Sequence, residues 1–123
     1  MRILIVDDHA DSAAATRMIL RLDGHDVEVA ADLAGAAAAV ARSCPDLLIA
    51  DLSLPDGTGW DLFERLKRAH PGLPAIALSG RAYARDVDRS RELGFCEHLS
   101  KPVDMDALRA TVRRCFAGQS DPN

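Results

Sequence analysis

Three things are scarce in this chain: cysteine, long apolar runs and basic charge in excess. Cys44, Cys96 and Cys115 are the only cysteines. Their number is odd and their spacing suits neither a disulfide framework nor a zinc site, so they read as reduced small residues of a cytosolic protein. The apolar run Ile3-Leu4-Ile5-Val6 meets Asp7 and Asp8 at once, far short of a signal peptide or a membrane span. The expectation is a cytoplasmic protein without a membrane partner. Fifteen Lys or Arg stand against nineteen Asp or Glu, a formal net charge of -4, which disfavours nonspecific binding to nucleic acid. There is no Walker loop, no dinucleotide fingerprint, no zinc-ligand cluster, no internal repeat and no low-complexity segment.

What is present is alternation. In 123 residues, enough for one domain with its own core, short apolar runs alternate with helical patterns five times. Fully apolar strands, expected at 3–6 and 47–50, suit a parallel sheet covered on both faces, and 27–30 reads as a less apolar edge strand. Strands at 75–78 and 95–99 complete the set. Helical spacing places Ala15, Met18, Ile19 and Leu22 on the inner face of a first helix, and Gly24 supplies its left-handed stop. Asp32 caps a second helix carrying Leu33, Ala36, Ala37 and Val40. After the turn Asp56-Gly57-Thr58-Gly59, a third helix uses Leu62, Phe63 and Leu66. A fourth, over 82–92, has Ala84 and Val87 as nearly its only core residues. Asp104 caps a fifth, with Leu108, Thr111, Val112 and Cys115 inward. The α/β pattern implies a single (βα)5 domain over 1–117, with helices on both faces of a parallel sheet and a polar, frayed tail over 118–123.

Ligands of open parallel sheets bind beyond the carboxyl ends of the strands. The polar residues leaving those ends are Asp7 and Asp8, Asp51, Ser79 and Lys101. If the first and third strands are neighbours, three carboxylates converge, and they repel unless a cation offsets them. Carboxylate oxygens suit Mg2+: Asp8 and Asp51 as direct ligands, Asp7 through water, and a backbone carbonyl near Ser53 as a further oxygen. A phosphoryl group on Asp51 would be held by the metal, the Lys101 ammonium and the Ser79 hydroxyl. A cis bond before Pro102 would aim Lys101 inward.

Together the segments Ile5-Val6-Asp7-Asp8, Asp51-Leu52-Ser53-Leu54-Pro55-Asp56-Gly57-Thr58-Gly59, Ser79-Gly80 and Ser100-Lys101-Pro102 resemble those of response-regulator receiver domains of two-component signalling. The resemblance covers nearly the whole chain, from Arg2 to Phe116. It implies a flavodoxin-like doubly wound sheet with strand order 2-1-3-4-5. It also implies that Asp51 is the phosphoacceptor, that Asp7, Asp8, Asp51 and the Ser53 carbonyl bind Mg2+, and that Ser79 and Lys101 contact the phosphate. The donor would be the phosphohistidine of a histidine kinase or phosphotransfer protein. Such a domain catalyses its own phosphotransfer and slow dephosphorylation, and is a signalling domain rather than an enzyme in the usual sense.

By the same resemblance, Ser79 and a strand-five residue form the switch. That residue is His98 here, where Tyr or Phe is usual, and a histidine brings its own titration to the position. Ser53 and Arg81 take the positions that tune dephosphorylation. The output surface is helix four, strand five and helix five. It faces a downstream effector of unspecified kind, or a second copy in a homodimer, with no direct nucleic-acid contact. Arg81, Arg85, Arg89 and Arg91 make this side basic, which suits an acidic partner surface. The competing reading is a receiver fold that acts as a protein-interaction module without being phosphorylated. A phosphatase resembling haloacid dehalogenases would need a second aspartate two residues after the nucleophile, where Ser53 stands.

Overall fold

The computed structural model describes residues 1–80 and 84–119. Five strands, β1 (Arg2–Val6), β2 (Asp26–Ala30), β3 (Leu47–Asp51), β4 (Ala75–Ser79) and β5 (Glu97–Ser100), form one parallel sheet in the order β2-β1-β3-β4-β5. This is the doubly wound, flavodoxin-like order expected. Just after β3, Ser53–Leu54 pairs with Gly57–Thr58 in a short antiparallel ladder.

Side chains alternate across the sheet, so each central strand feeds two cores. Leu4, Val6, Leu48, Ala50, Ala75 and Ala77 pack with Ala36, Ala39 and Val40 of α2 (Leu33–Arg42) and with Leu62, Phe63 and Leu66 of α3 (Gly59–Ala69). Ile3, Ile5, Leu47, Ile49, Ile76 and Leu78 pack on the other face with Leu20 of α1 (Ala10–Leu22) and with Leu108, Val112 and Cys115 of α5 (Met105–Gln119). Between α3 and β5 lies α4 (Ala84–Leu93), whose Leu93 packs against the first of these cores. Asp32 caps α2 through Gly35 N–H at 2.6 Å, and Asp104 accepts from Asp106 N–H at 2.9 Å at the start of α5. Gly24 and Gly94 follow α1 and α4 with φ of +92° and +104°, the left-handed stop that favours glycine. No described helix is long and apolar enough to cross a membrane.

Three sequence expectations are corrected. The inner face of α1 is Ala13, Thr16 and Leu20, whereas Met18 and Leu22 are 60% and 76% exposed. Thr16 can occupy the interface because its hydroxyl donates to Ser12 O at 3.0 Å, so a polar residue took a place that apolar spacing assigned elsewhere. In α4 the deeply buried residue is Ser90, not Val87, which is half-buried; the Ala84 side chain lies outside the described residues. Strand β5 begins at Glu97 rather than at Phe95, which sits before the strand and packs against Phe63, the ring centroids 4.4 Å apart and the planes tilted by 51°. At the C-terminus, α5 runs to Gln119, and 120–123 lie outside the described residues.

Candidate functional site

The carboxyl edge of the sheet gathers the polar residues. Asp7 follows β1, its N–H bonded to Ala30 O at 3.0 Å. Asp51 closes β3, and the next residue, Leu52, is pinned from both sides: its N–H donates to Leu78 O at 2.8 Å and its carbonyl accepts from Gly59 N–H at 3.1 Å. Lys101 follows β5, its N–H bonded to Ser79 O at 2.7 Å, and the Lys101–Pro102 bond is cis. From there the lysine side chain crosses the end of β4. Its Nζ lies 2.9 Å from Asp51 Oδ2 and 3.0 Å from Asp7 Oδ2.

Asp7 and Asp51 are each 3% exposed, whereas Asp8 is exposed. Burial alone would pull the Lys101 ammonium down, but its hydrogen bonds and charge pairing with Asp51 and Asp7 outweigh that and hold it above the ordinary lysine range. Asp51 Oδ1 accepts from Ser53 N–H at 3.1 Å, and Asp7 Oδ1 from His9 N–H at 2.9 Å. Ser79, buried at the end of β4, stands in register with Ser100.

Asp7, Asp8, His9 and Asp51 each offer a ligand atom, all within 4.8 Å of one another. Three carboxylates against one paired ammonium leave excess negative charge, two of the acids being buried. Such a hard-oxygen set fits a divalent cation of the magnesium class. The structure thus brings together Asp7, Asp8, Asp51 and Lys101, with Ser53 and Ser79 adjoining. Arg81 lies outside the described residues.

His98 belongs to a separate cluster. It stands opposite Ala77 of β4, and its Nδ1 is 3.2 Å from Ser90 Oγ, which also accepts from Trp60 Nε1–H at 2.9 Å. An indole N–H only donates, so Ser90 joins α3, α4 and β5 in one chain of polar contacts. His98 Nε2 is buried without a hydrogen-bond partner among the described residues. Burial lowers the His98 pKa, partly offset by Asp86 of α4. A histidine whose folded pKa lies below its unfolded value binds its proton more readily when unfolded. Stability is therefore complete above about pH 6.5 and falls as pH drops toward the folded pKa. His25 is shifted the same way by burial and by the terminal amine. Urea midpoints measured from pH 8 to pH 5.5 should decline in the parent, and His98→Phe should flatten the decline, leaving a remainder from His25. An unchanged slope would remove His98 as the source.

Sequence reasoning missed His9, Ser90 and the close approach at Gly59. For His9 the available signal was its place directly after the acidic pair, at the N-cap of α1. Ser90 gave none beyond lying one turn after Val87. On the surface, Arg89 covers the Trp60 ring at 4.3 Å and Arg91 is exposed.

Comparison with known proteins bears on the same residues. Residues 3–113 match the family model of the response regulator receiver domain. The chain is 38% identical over 126 residues to an uncharacterised 14.6 kDa protein of Leptolyngbya boryana, covering 98% of this chain and 95% of that one. It is 33% identical over 116 residues to the probable transcriptional regulatory protein TcrX of Mycobacterium tuberculosis, covering 91% of this chain but only 50% of that one. A solved structure, the CheY-like response regulator receiver domain protein of Methanospirillum hungatei JF-1, superposes with a TM-score of 0.93 at 30% identity, over 99% of this chain and 98% of that one. With the sheet order, the acid cluster and the family match in agreement, this chain belongs to the response regulator receiver domain family.

Proposed function

We propose that this receiver accepts a phosphoryl group on Asp51 from a phosphohistidine donor, a histidine kinase or phosphotransfer protein, and relays the event through the surface of α4, β5 and α5. The observation that carries the reading is the buried Asp51 carboxylate, held by Lys101 at 2.9 Å and by Ser53 N–H at 3.1 Å beside two further acids. Those contacts fix the carboxylate at the mouth of the site, where one of its oxygens can attack phosphorus in line. The N–P bond of the donor then breaks, its electron pair returns to the imidazole, and an aspartyl phosphate forms.

Asp8, Asp51 and the Ser53 carbonyl, with Asp7 through water, would hold magnesium, which would supply charge neutralisation for the phosphoryl oxygens. Lys101, released from carboxylate pairing, donates to one of those oxygens, and the Ser79 hydroxyl donates to another. Water later cleaves the acyl phosphate, with Ser53 and Arg81 setting its access. Drawing Ser79 toward the phosphoryl group changes the space next to His98, which shares its strand pair, and so bears on the Ser90 contact that holds α4. The setting is cytoplasmic. The downstream effector is a protein surface or domain, and self-association through α4, β5 and α5 is a second outlet.

Incubated with acetyl phosphate and magnesium chloride, the parent should gain the mass of one phosphoryl group, and Asp51→Asn should gain none. An unlabelled parent, or equal labelling of Asp51→Asn, would contradict the assignment and favour a receiver that works by protein contact alone.

A further inference from the structure

His9 holds the N-cap position of α1, yet its side chain makes no capping hydrogen bond. Its ring turns the other way. Nδ1 lies 3.1 Å from Asp7 Oδ1, 3.3 Å from Asp8 Oδ1 and 3.8 Å from Asp51 Oδ2, so it faces all three acids of the cluster at once. It also lies 3.4 Å from Lys101 Nζ. An ammonium has three N–H bonds and no lone pair. Two of the Lys101 bonds serve Asp51 and Asp7, and the third faces the imidazole nitrogen. The nitrogen of His9 therefore already borders the cation that these carboxylates hold.

We infer that His9 contributes an imidazole nitrogen to the divalent-cation site, making the site more selective for later transition ions such as Co2+ than a site built from oxygen alone. The inference rests on the reading that this cluster binds a divalent cation. Its physical basis is ligand softness. Magnesium is satisfied by carboxylate, carbonyl and water oxygens and gains little from nitrogen, whereas imidazole suits the later first-row ions, whose affinity for such a site rises from Mn2+ through Co2+. A ligating histidine must be unprotonated at the donor atom, and Nδ1 is the ring nitrogen turned to the acids. The other described histidines, His25, His70 and His98, lie outside this cluster, so any nitrogen signal from the site has one source.

The test uses the full chain with Mn2+, Co2+ and Mg2+ as probes. Electron spin-echo modulation of bound Mn2+ should show a histidine nitrogen coupling in the parent, altered by 15N-histidine labelling and absent in His9→Phe and His9→Ala. By calorimetry, Co2+ affinity should fall at least about tenfold in both variants, the loss known even for outer supports of a metal ligand. The ratio of Co2+ to Mg2+ affinity should fall with it, since magnesium gains little from nitrogen, and an unchanged far-ultraviolet circular dichroism spectrum should show that the variants are folded. Retained Mg2+ binding with no nitrogen coupling in the parent, or with unchanged Co2+ affinity in the variants, would overturn the role of His9 alone. A parent that binds none of the three ions would overturn the cation reading on which it stands.

Discussion

Gly59→Ala should unfold at a markedly lower urea concentration than the parent, with a loss of about 3 kcal/mol, the upper end of overpacking costs, and should lose phosphorylation at Asp51. A Cβ placed on Gly59 would stand 2.6 Å from the Asp51 carbonyl oxygen and 3.1 Å from both Asp51 C and Leu52 Cα. These are backbone atoms, so no side chain can swing away to make room. The backbone at Gly59 is not left-handed, and the requirement is for closeness alone. The first turn of α3 lies directly against the end of β3, with Gly59 N–H bonded to Leu52 O and Thr58 capping the helix through Asp61 N–H at 3.1 Å. Relief of the clash must move either the helix or the strand end that carries Asp51. Gly72→Ala is the matched control, since a Cβ there meets nothing within 4 Å. Equal urea midpoints for the two variants would remove the packing argument.

Lys101→Met should be the second large effect, and a cation-dependent one. Methionine keeps much of the aliphatic stem but leaves Asp7 and Asp51 buried without the ammonium that both contact. Removing one partner from a buried charge cluster costs about 3–5 kcal/mol, less whatever the acids recover by taking up a proton. Because the ammonium and a divalent cation serve the same oxygens, magnesium chloride should raise the melting temperature of Lys101→Met by more than it raises the parent's. Sodium chloride at equal ionic strength should not, since these groups are shielded from bulk screening. Equal gains from magnesium in both proteins would mean that the lysine and the metal do not share the site.

The parts of the fold legible in the sequence were those where one signal dominated. Runs such as Leu47-Leu48-Ile49-Ala50 have no polar face to hide, and the residues that follow them fall at the sheet's carboxyl edge whatever the helices do. Asp7, Asp8, Asp51, Ser79 and Lys101 are therefore legible as one group from the sequence. Legibility failed where burial is decided by local hydrogen bonding rather than hydrophobicity. Thr16 and Ser90 are buried because Ser12 O and the Trp60 indole satisfy their hydroxyls, and neither partner is visible in an apolar period. The early start expected for β5 followed from Phe95, an aromatic residue that packs on Phe63 from the preceding turn. His9 escaped notice because its importance is directional: only the turn of its ring toward the acids separates it from an ordinary helix cap.

The most direct measurement for the central claim is a crystal structure of the protein grown with magnesium and beryllofluoride, a mimic of the aspartyl phosphate. Beryllium should be bonded to an Asp51 carboxylate oxygen, with one magnesium ion held by Asp8 and Asp51, and with Lys101 and Ser79 donating to fluorine. Acidic side chains standing apart with no ion among them, or beryllofluoride bound away from Asp51, would contradict it.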